Sequence, residues 1–163
     1  RTVARGVYPA VLRDQGPAAA LQEVLADLPR PVRFLVDPVP RLAWELESGL
    51  YYIAAAALRT LAGRPAEREL ALRLHPASGR ICAVFEDPAP PVSAADLEVL
   101  LADDVDRLVA LGGALHVVQT DADDGDASCV AGSGNLPIVV RAWVPDRVEP
   151  VVESNVEAEI AIR

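Results

Sequence analysis

The sequence contains no lysine: all 15 of its basic residues are arginine. That absence removes P-loop, Schiff-base and lysine-nucleophile chemistry together. Cysteine and histidine are scarce, with two of each (Cys82, Cys129, His75 and His116). No apolar run approaches the ~18 to 20 residues that span a bilayer, and the N-terminal residues do not read as a signal peptide. Internal repeats and long linkers are missing too. Acidic residues number 24, and the net charge of -9 argues against a general nucleic-acid or anionic-membrane surface. What is present is 163 residues that are 52% hydrophobic, the size of one domain with a substantial core. A cytoplasmic domain is expected, in a full-length protein that is free or membrane-attached.

Punctuation and periodicity divide the chain. Residues 1–12 open without a cap and read as the end of something upstream. Gly16-Pro17 starts a helix, with proline in the first turn where its missing N–H costs least, and Ala20, Leu21, Val24, Leu25 and Leu28 give that helix one buried face. Val32 to Val36 reads as a short strand. From Arg41 to Gly63, apolar residues recur at spacings of three and four (Leu42, Leu46, Leu50, Ile53, Ala57, Leu61), which predicts a long helix. Two strands follow, Arg68 to Leu74 and Ile81 to Glu86, joined by a turn over residues 75–80. A proline-rich stretch, Pro88 to Pro91, leads into a helix over 94–111 that Gly112-Gly113 ends. Leu115 to Gln119 and Leu136 to Val144 are the last strands, separated by an acidic loop over 121–135. Helices and strands in this order predict a mixed sheet with helices on one face.

Several strings in this order resemble the ATP-binding (GHKL) domain of bacterial sensor histidine kinases. Tyr8-Pro9-Ala10-Val11-Leu12 with Gly16-Pro17-Ala18-Ala19-Ala20-Leu21 stands where that family has its connector. Glu47 with Tyr51-Tyr52-Ile53 matches the entry to its nucleotide helix, Asp106 to Gly113 its helix ending in two glycines, and Leu136 to Pro145 its closing strand. The resemblance implies an α+β fold, a two-layer sandwich of a mixed, mostly antiparallel sheet with three helices on one face. It also implies a domain over 13–145, preceded by a remnant of an upstream dimerisation helix (1–12) and followed by a tail (146–163) able to add an edge strand or dock on a partner.

The departures bear on function. Where the family's nucleotide helix carries a glutamate and, four residues later, an asparagine that holds magnesium, this chain has Ala56 and Thr60. Residues so spaced share a helix face. Alanine cannot act as a base, and a threonine hydroxyl offers magnesium one neutral ligand among the oxygens it needs. The family's adenine-reading aspartate corresponds to Glu86 or Asp87, since a one-residue slip changes the match. The glycines that should follow are replaced by Pro88, Pro90 and Pro91, which work against a phosphate cradle. Arg107 faces the lid side of the pocket if the family geometry holds; otherwise it is a surface partner of Asp103, Asp104 or Asp106.

Other features read more plainly. Gly132-Ser133-Gly134 precedes a strand, so it is a turn and not an anion site. Asp121, Asp123, Asp124 and Asp126 miss the calcium-loop register. His75 falls in the turn and His116 on a strand, Cys82 is a small strand residue, and Cys129 has no nearby base. The resemblance therefore implies a degenerate, kinase-like domain in two-component signalling, with a vestigial nucleotide site at Ala56, Thr60, Glu86, Asp87 and Arg107. It has no assignable catalytic residue or metal ligand, and needs ATP and magnesium only if that site functions. Its expected partners are a companion sensor kinase or response regulator, with dimerisation through upstream helices and no nucleic acid. Two alternatives stay open. One is a competent kinase domain acting on a histidine upstream; the other is a small-molecule module reusing the nucleotide cleft.

Overall fold

The structure, a computed structural model, describes residues 9–120 and 134–147. A short helix α1 (Ala10–Gln15) turns at Gly16 into α2 (Pro17–Ala26), and β1 (Val32–Val36) leads to the long helix α3 (Trp44–Ala62). The hairpin β2 (Leu70–Ala77) and β3 (Arg80–Asp87) follows, then α4 (Ala94–Leu100), α5 (Ala102–Ala110), β4 (Ala114–Gln119) and β5 (Ile138–Pro145). The strands form one sheet in the order β1-β2-β3-β5-β4. β1 and β2 run parallel, as the intervening helix requires, and every other pair is antiparallel.

Strand alternation assigns the two faces. Leu70, Leu72 and Leu74 of β2, Ile81, Ala83 and Phe85 of β3, and Ile138, Val140, Ala142 and Val144 of β5 are buried on the helix side. Against them lies α3, buried along most of its length. Its alanines (Ala54, Ala55 and Ala57) let α2, α5 and the sheet come close. Leu12 and Leu21, both fully buried, extend this core to α1 and α2. Helix α1 thus spans the boundary expected after residue 12 and packs with the domain. The two-layer α+β sandwich expected from the sequence is present, with its helices on one face of a mostly antiparallel sheet.

Three elements differ from expectation for local reasons. The helix expected over 94–111 is two helices, because Leu101 leaves helical geometry (φ -95, ψ 1) and tucks its side chain into the core. The turn expected over 75–80 shrinks to Ser78-Gly79, both at positive φ (47° and 78°), a two-residue turn whose twist suits a hairpin. His75 therefore lies on β2, opposite Cys82. Helix α3 begins at Trp44, after Arg41 and Leu42. Glu47 folds back from its first turns, accepting from the Leu42 backbone N–H (2.9 Å) and from the Arg41 guanidinium (2.7 and 3.0 Å). Glu47 thereby holds the entry to α3, where a carboxylate is also favoured by the helix dipole.

Candidate functional site

The sequence left the strand-ending acid open between Glu86 and Asp87, and the β3 pleat puts the two on opposite faces of the sheet. Neighbouring strand residues point to opposite faces. Asp87 is buried on the helix side, whereas Glu86 is exposed on the far face. Glu86 therefore leaves the site expected around Ala56 and Thr60.

Asp87 is engaged by Arg30, which stands between Pro29 and Pro31 in the link from α2 to β1. The guanidinium Nη1 donates to Asp87 Oδ2 and Nη2 to Oδ1, both at 2.7 Å, with both side chains at or below 1% exposure. Two parallel charge-assisted bonds of this kind are among the strongest that side chains make. Two further donors are used as well. Nη1 also reaches the Leu61 carbonyl (3.0 Å) and Nε the Arg68 carbonyl (2.8 Å). Asp87 Oδ1 accepts in addition from the Ala89 backbone N–H (2.9 Å). A buried ion pair needs such saturation, because desolvation otherwise outweighs the attraction. The pair ties the C-terminal end of α3 to the end of β3.

Along α3, Tyr52, Ala56 and Thr60 form one half-buried line at four-residue spacing. Ala56 packs against the core. The Thr60 hydroxyl donates to the Ala56 carbonyl at 3.0 Å, back onto its own helix. Arg107 of α5 sits over the Tyr52 ring, 5.2 Å from its centre, and pairs loosely with Asp104 at 3.8 Å. Arg107 is thus both a surface ion-pair partner and part of the α3–α5 seam. Ala56, Thr60 and Arg107 are brought to one flank of α3; Asp87 lies inside and is closed by Arg30.

Few metal ligands stand at these positions. Ala56 offers no ligand, Thr60 offers one neutral oxygen, and the oxygens of Asp87 are occupied by a guanidinium and a backbone N–H. Among the described residues, no three histidine, cysteine or acidic side chains converge as a metal site would require. No described helix is long and apolar enough to cross a membrane.

Two concavities stand out, and neither is lined by Ala56, Thr60, Asp87 or Arg107. One of about 260 Å³ lies between the α1–α2 junction and residues 36–41. The other, about 640 Å³, runs over the far face of the sheet, where Arg33, Arg73, Arg80, Arg141 and Trp143 surround Cys82 and Glu86. Partial burial pushes the Cys82 thiol pKa up, against the smaller opposing pull of Arg80 and Arg141. Cys129 and the aspartates at 121, 123, 124 and 126 lie outside the described residues, as do Gly132 and Ser133 of the glycine turn. So do residues 148–163 of the expected tail.

Sequence reasoning missed Arg30 and Tyr52. The signal for Arg30 was its position: an arginine clamped between two prolines at a helix-to-strand junction has few directions to point. Tyr52 was legible only as part of a tyrosine pair at the entry to α3.

No protein-family model and no curated protein sequence matches the chain. Among solved structures, full-length ShkA in complex with AMPPNP superposes with a TM-score of 0.50 at 16% identity, over 85% of this chain and 30% of that one. The histidine kinase domain of the Erythrobacter litoralis EL346 blue-light activated histidine kinase gives 0.48 at 16% identity, over 79% of this chain and 57% of that one. The histidine kinase domain of the E. coli osmosensor EnvZ gives 0.48 at 15% identity, over 82% and 88%. The ShkA superposition carries the statement of fold. This chain has the fold of the histidine kinase ATPase domain, and it spans less than two thirds of the ShkA and Erythrobacter chains.

Proposed function

We propose that this chain is a kinase-like ATPase-fold domain of a two-component signalling protein that works by protein contact instead of phosphoryl transfer. The observation that carries the reading is the buried Arg30–Asp87 pair. In kinases of this kind the strand-ending aspartate is the group that recognises the nucleotide base. Here its oxygens already hold a guanidinium and a backbone N–H and both side chains of the pair are buried, so an incoming adenine amine could reach it only by moving a buried cation. Such an exchange exposes two charges to an unpaired state costing several kcal/mol each, more than one new hydrogen bond of ~1 kcal/mol returns. The neighbouring positions support the same reading, because Ala56 supplies neither base nor ligand and Thr60 bonds to its own helix. The preserved apolar framework beside these groups is what a contact-making domain needs. Its partners are then a companion sensor kinase or a response regulator, and dimerisation belongs to helices outside this domain.

The test is calorimetric titration of the folded chain with ATP, with and without magnesium. No heat up to millimolar nucleotide is the expected result. Micromolar binding that magnesium strengthens would overturn the proposal and return the chain to the active kinases.

A further inference from the structure

The far face of the sheet is covered by no element among the described residues, and its chemistry contrasts with the rest of the molecule. The chain carries a net charge of -9, yet this concave face gathers Arg33, Arg73, Arg80 and Arg141, with Glu86 in the same groove and Asp37 against Arg73. Register places them in rows. One row runs Leu35, Arg73, Val84, Arg141, His116 across all five strands. The next holds Arg33, Ala71 and Glu86, and on the other side His75, Cys82 and Trp143. Arg73 and Arg141 are therefore two strands apart, about 10 Å, with Val84 between them.

Two of the four arginines are already used. Arg73 pairs with Asp37 at 2.6 Å, and the Arg80 guanidinium lies 3.7 Å from the centre of the Trp143 ring. Arg33 and Arg141 have no ion-pair partner among the described residues.

From this arrangement we infer that the far face docks an acidic polypeptide segment of a partner protein, one whose sheet-facing residues, every second along the segment, are by turns acidic and small apolar. The charge selects the sign, and the interleaving selects the class. An extended segment presents every second side chain to one side at about 7 Å intervals, so carboxylates at every fourth position can reach the long arginine side chains while the apolar side chains midway between them, on the same side, lie on Val84, Cys82 and Leu35. A nucleic acid suits the face less well. Its phosphates would meet Glu86 within the same groove, and the face's indole is already stacked under Arg80, which leaves no free ring for a base.

Binding can be read with a dye-labelled synthetic peptide that repeats glutamate-serine-valine-serine, at low salt, by fluorescence anisotropy. Protection of Cys82 from alkylation, mapped by mass spectrometry, reports occupancy of the face itself. Expected are saturable binding that weakens as salt rises, protection of Cys82, and a loss of roughly tenfold or more in affinity in the R33E/R141E variant. That variant should keep the wild-type urea midpoint, because both side chains are exposed and have no ion-pair partner among the described residues, and should gain binding to the matching peptide with arginine in place of glutamate.

Absence of binding, or equal binding by wild type and variant, overturns the inference. So does tighter binding of a single-stranded oligonucleotide of matching charge. Protection of Cys82 that rises with protein concentration in the absence of peptide would instead assign the face to a second copy of this chain. None of these outcomes depends on whether nucleotide binds near α3.

Discussion

At the scale of single residues, Arg30 and Asp87 are the most consequential side chains, joining points 57 positions apart in the chain. Removing either one leaves a buried charge without its partner, so Arg30→Ala or Asp87→Ala should each lower stability by about 3–5 kcal/mol in urea unfolding. Replacing both with apolar side chains of similar volume, as in R30M/D87L, should return to within ~1 kcal/mol of wild type, since the desolvation cost disappears with the charges. A double mutant as unstable as the singles would mean that packing, not charge, sets the effect. Cys82 offers a second test. Its raised pKa keeps more of the thiol protonated than in a free cysteine, so alkylation at mildly alkaline pH should be slower and should accelerate only above the free thiol's range. Because Arg80 and Arg141 pull that pKa down, R80Q/R141Q should slow the reaction further. At this scale the sequence was legible in part: Ala56 and Thr60 were placed on one helix flank by spacing alone. The choice between Glu86 and Asp87 was not, because it depends on strand phase, and Arg30 was hidden because its partner is distant in sequence.

Among the elements, the end of α5 shows why two consecutive glycines are needed. Gly112 lies at φ +83 and donates to the Val109 carbonyl, and Gly113 donates to the Leu108 carbonyl, together forming the reverse turn that closes many helices. At Gly112 an alanine would meet only the strain of positive φ, about 1–2 kcal/mol. At Gly113 a Cβ would fall 2.2 Å from the Trp143 carbonyl oxygen, so G113A should cost more than G112A, about 3 kcal/mol. Ser93 caps α4 through the Asp96 N–H at 3.1 Å, and S93A should cost about 1 kcal/mol. Thermal unfolding should rank the losses G113A first, then G112A, then S93A, and an equal loss from G112A and G113A would contradict the close approach to β5. This helix end was readable because glycine pairs punctuate strongly. The break at Leu101 was not, since apolar periodicity runs through it and only the pull of the core on one leucine interrupts the helix.

For the whole molecule, α3 and the central strands β3 and β5 carry the core, while β1 and β4 are edges. Native-state hydrogen exchange should therefore be slowest in β3 and β5 and faster in β1 and β4; uniform protection across the sheet would argue against this division. The architecture was largely legible because alternation and helical spacing act over many residues at once, and errors at single positions average out. The bare basic face was not legible. Its arginines are scattered from position 33 to 141 and meet only through strand register. The buried Arg30–Asp87 pair has a consequence for descent. A lineage seeking to free Asp87 for another ligand must first lose Arg30, and that single step removes about 3–5 kcal/mol from a domain whose total stability is on the order of 5–15 kcal/mol. The intermediate is a less stable protein, so that route runs through a loss of stability. The pair thus stands as a barrier between Asp87 and any other ligand.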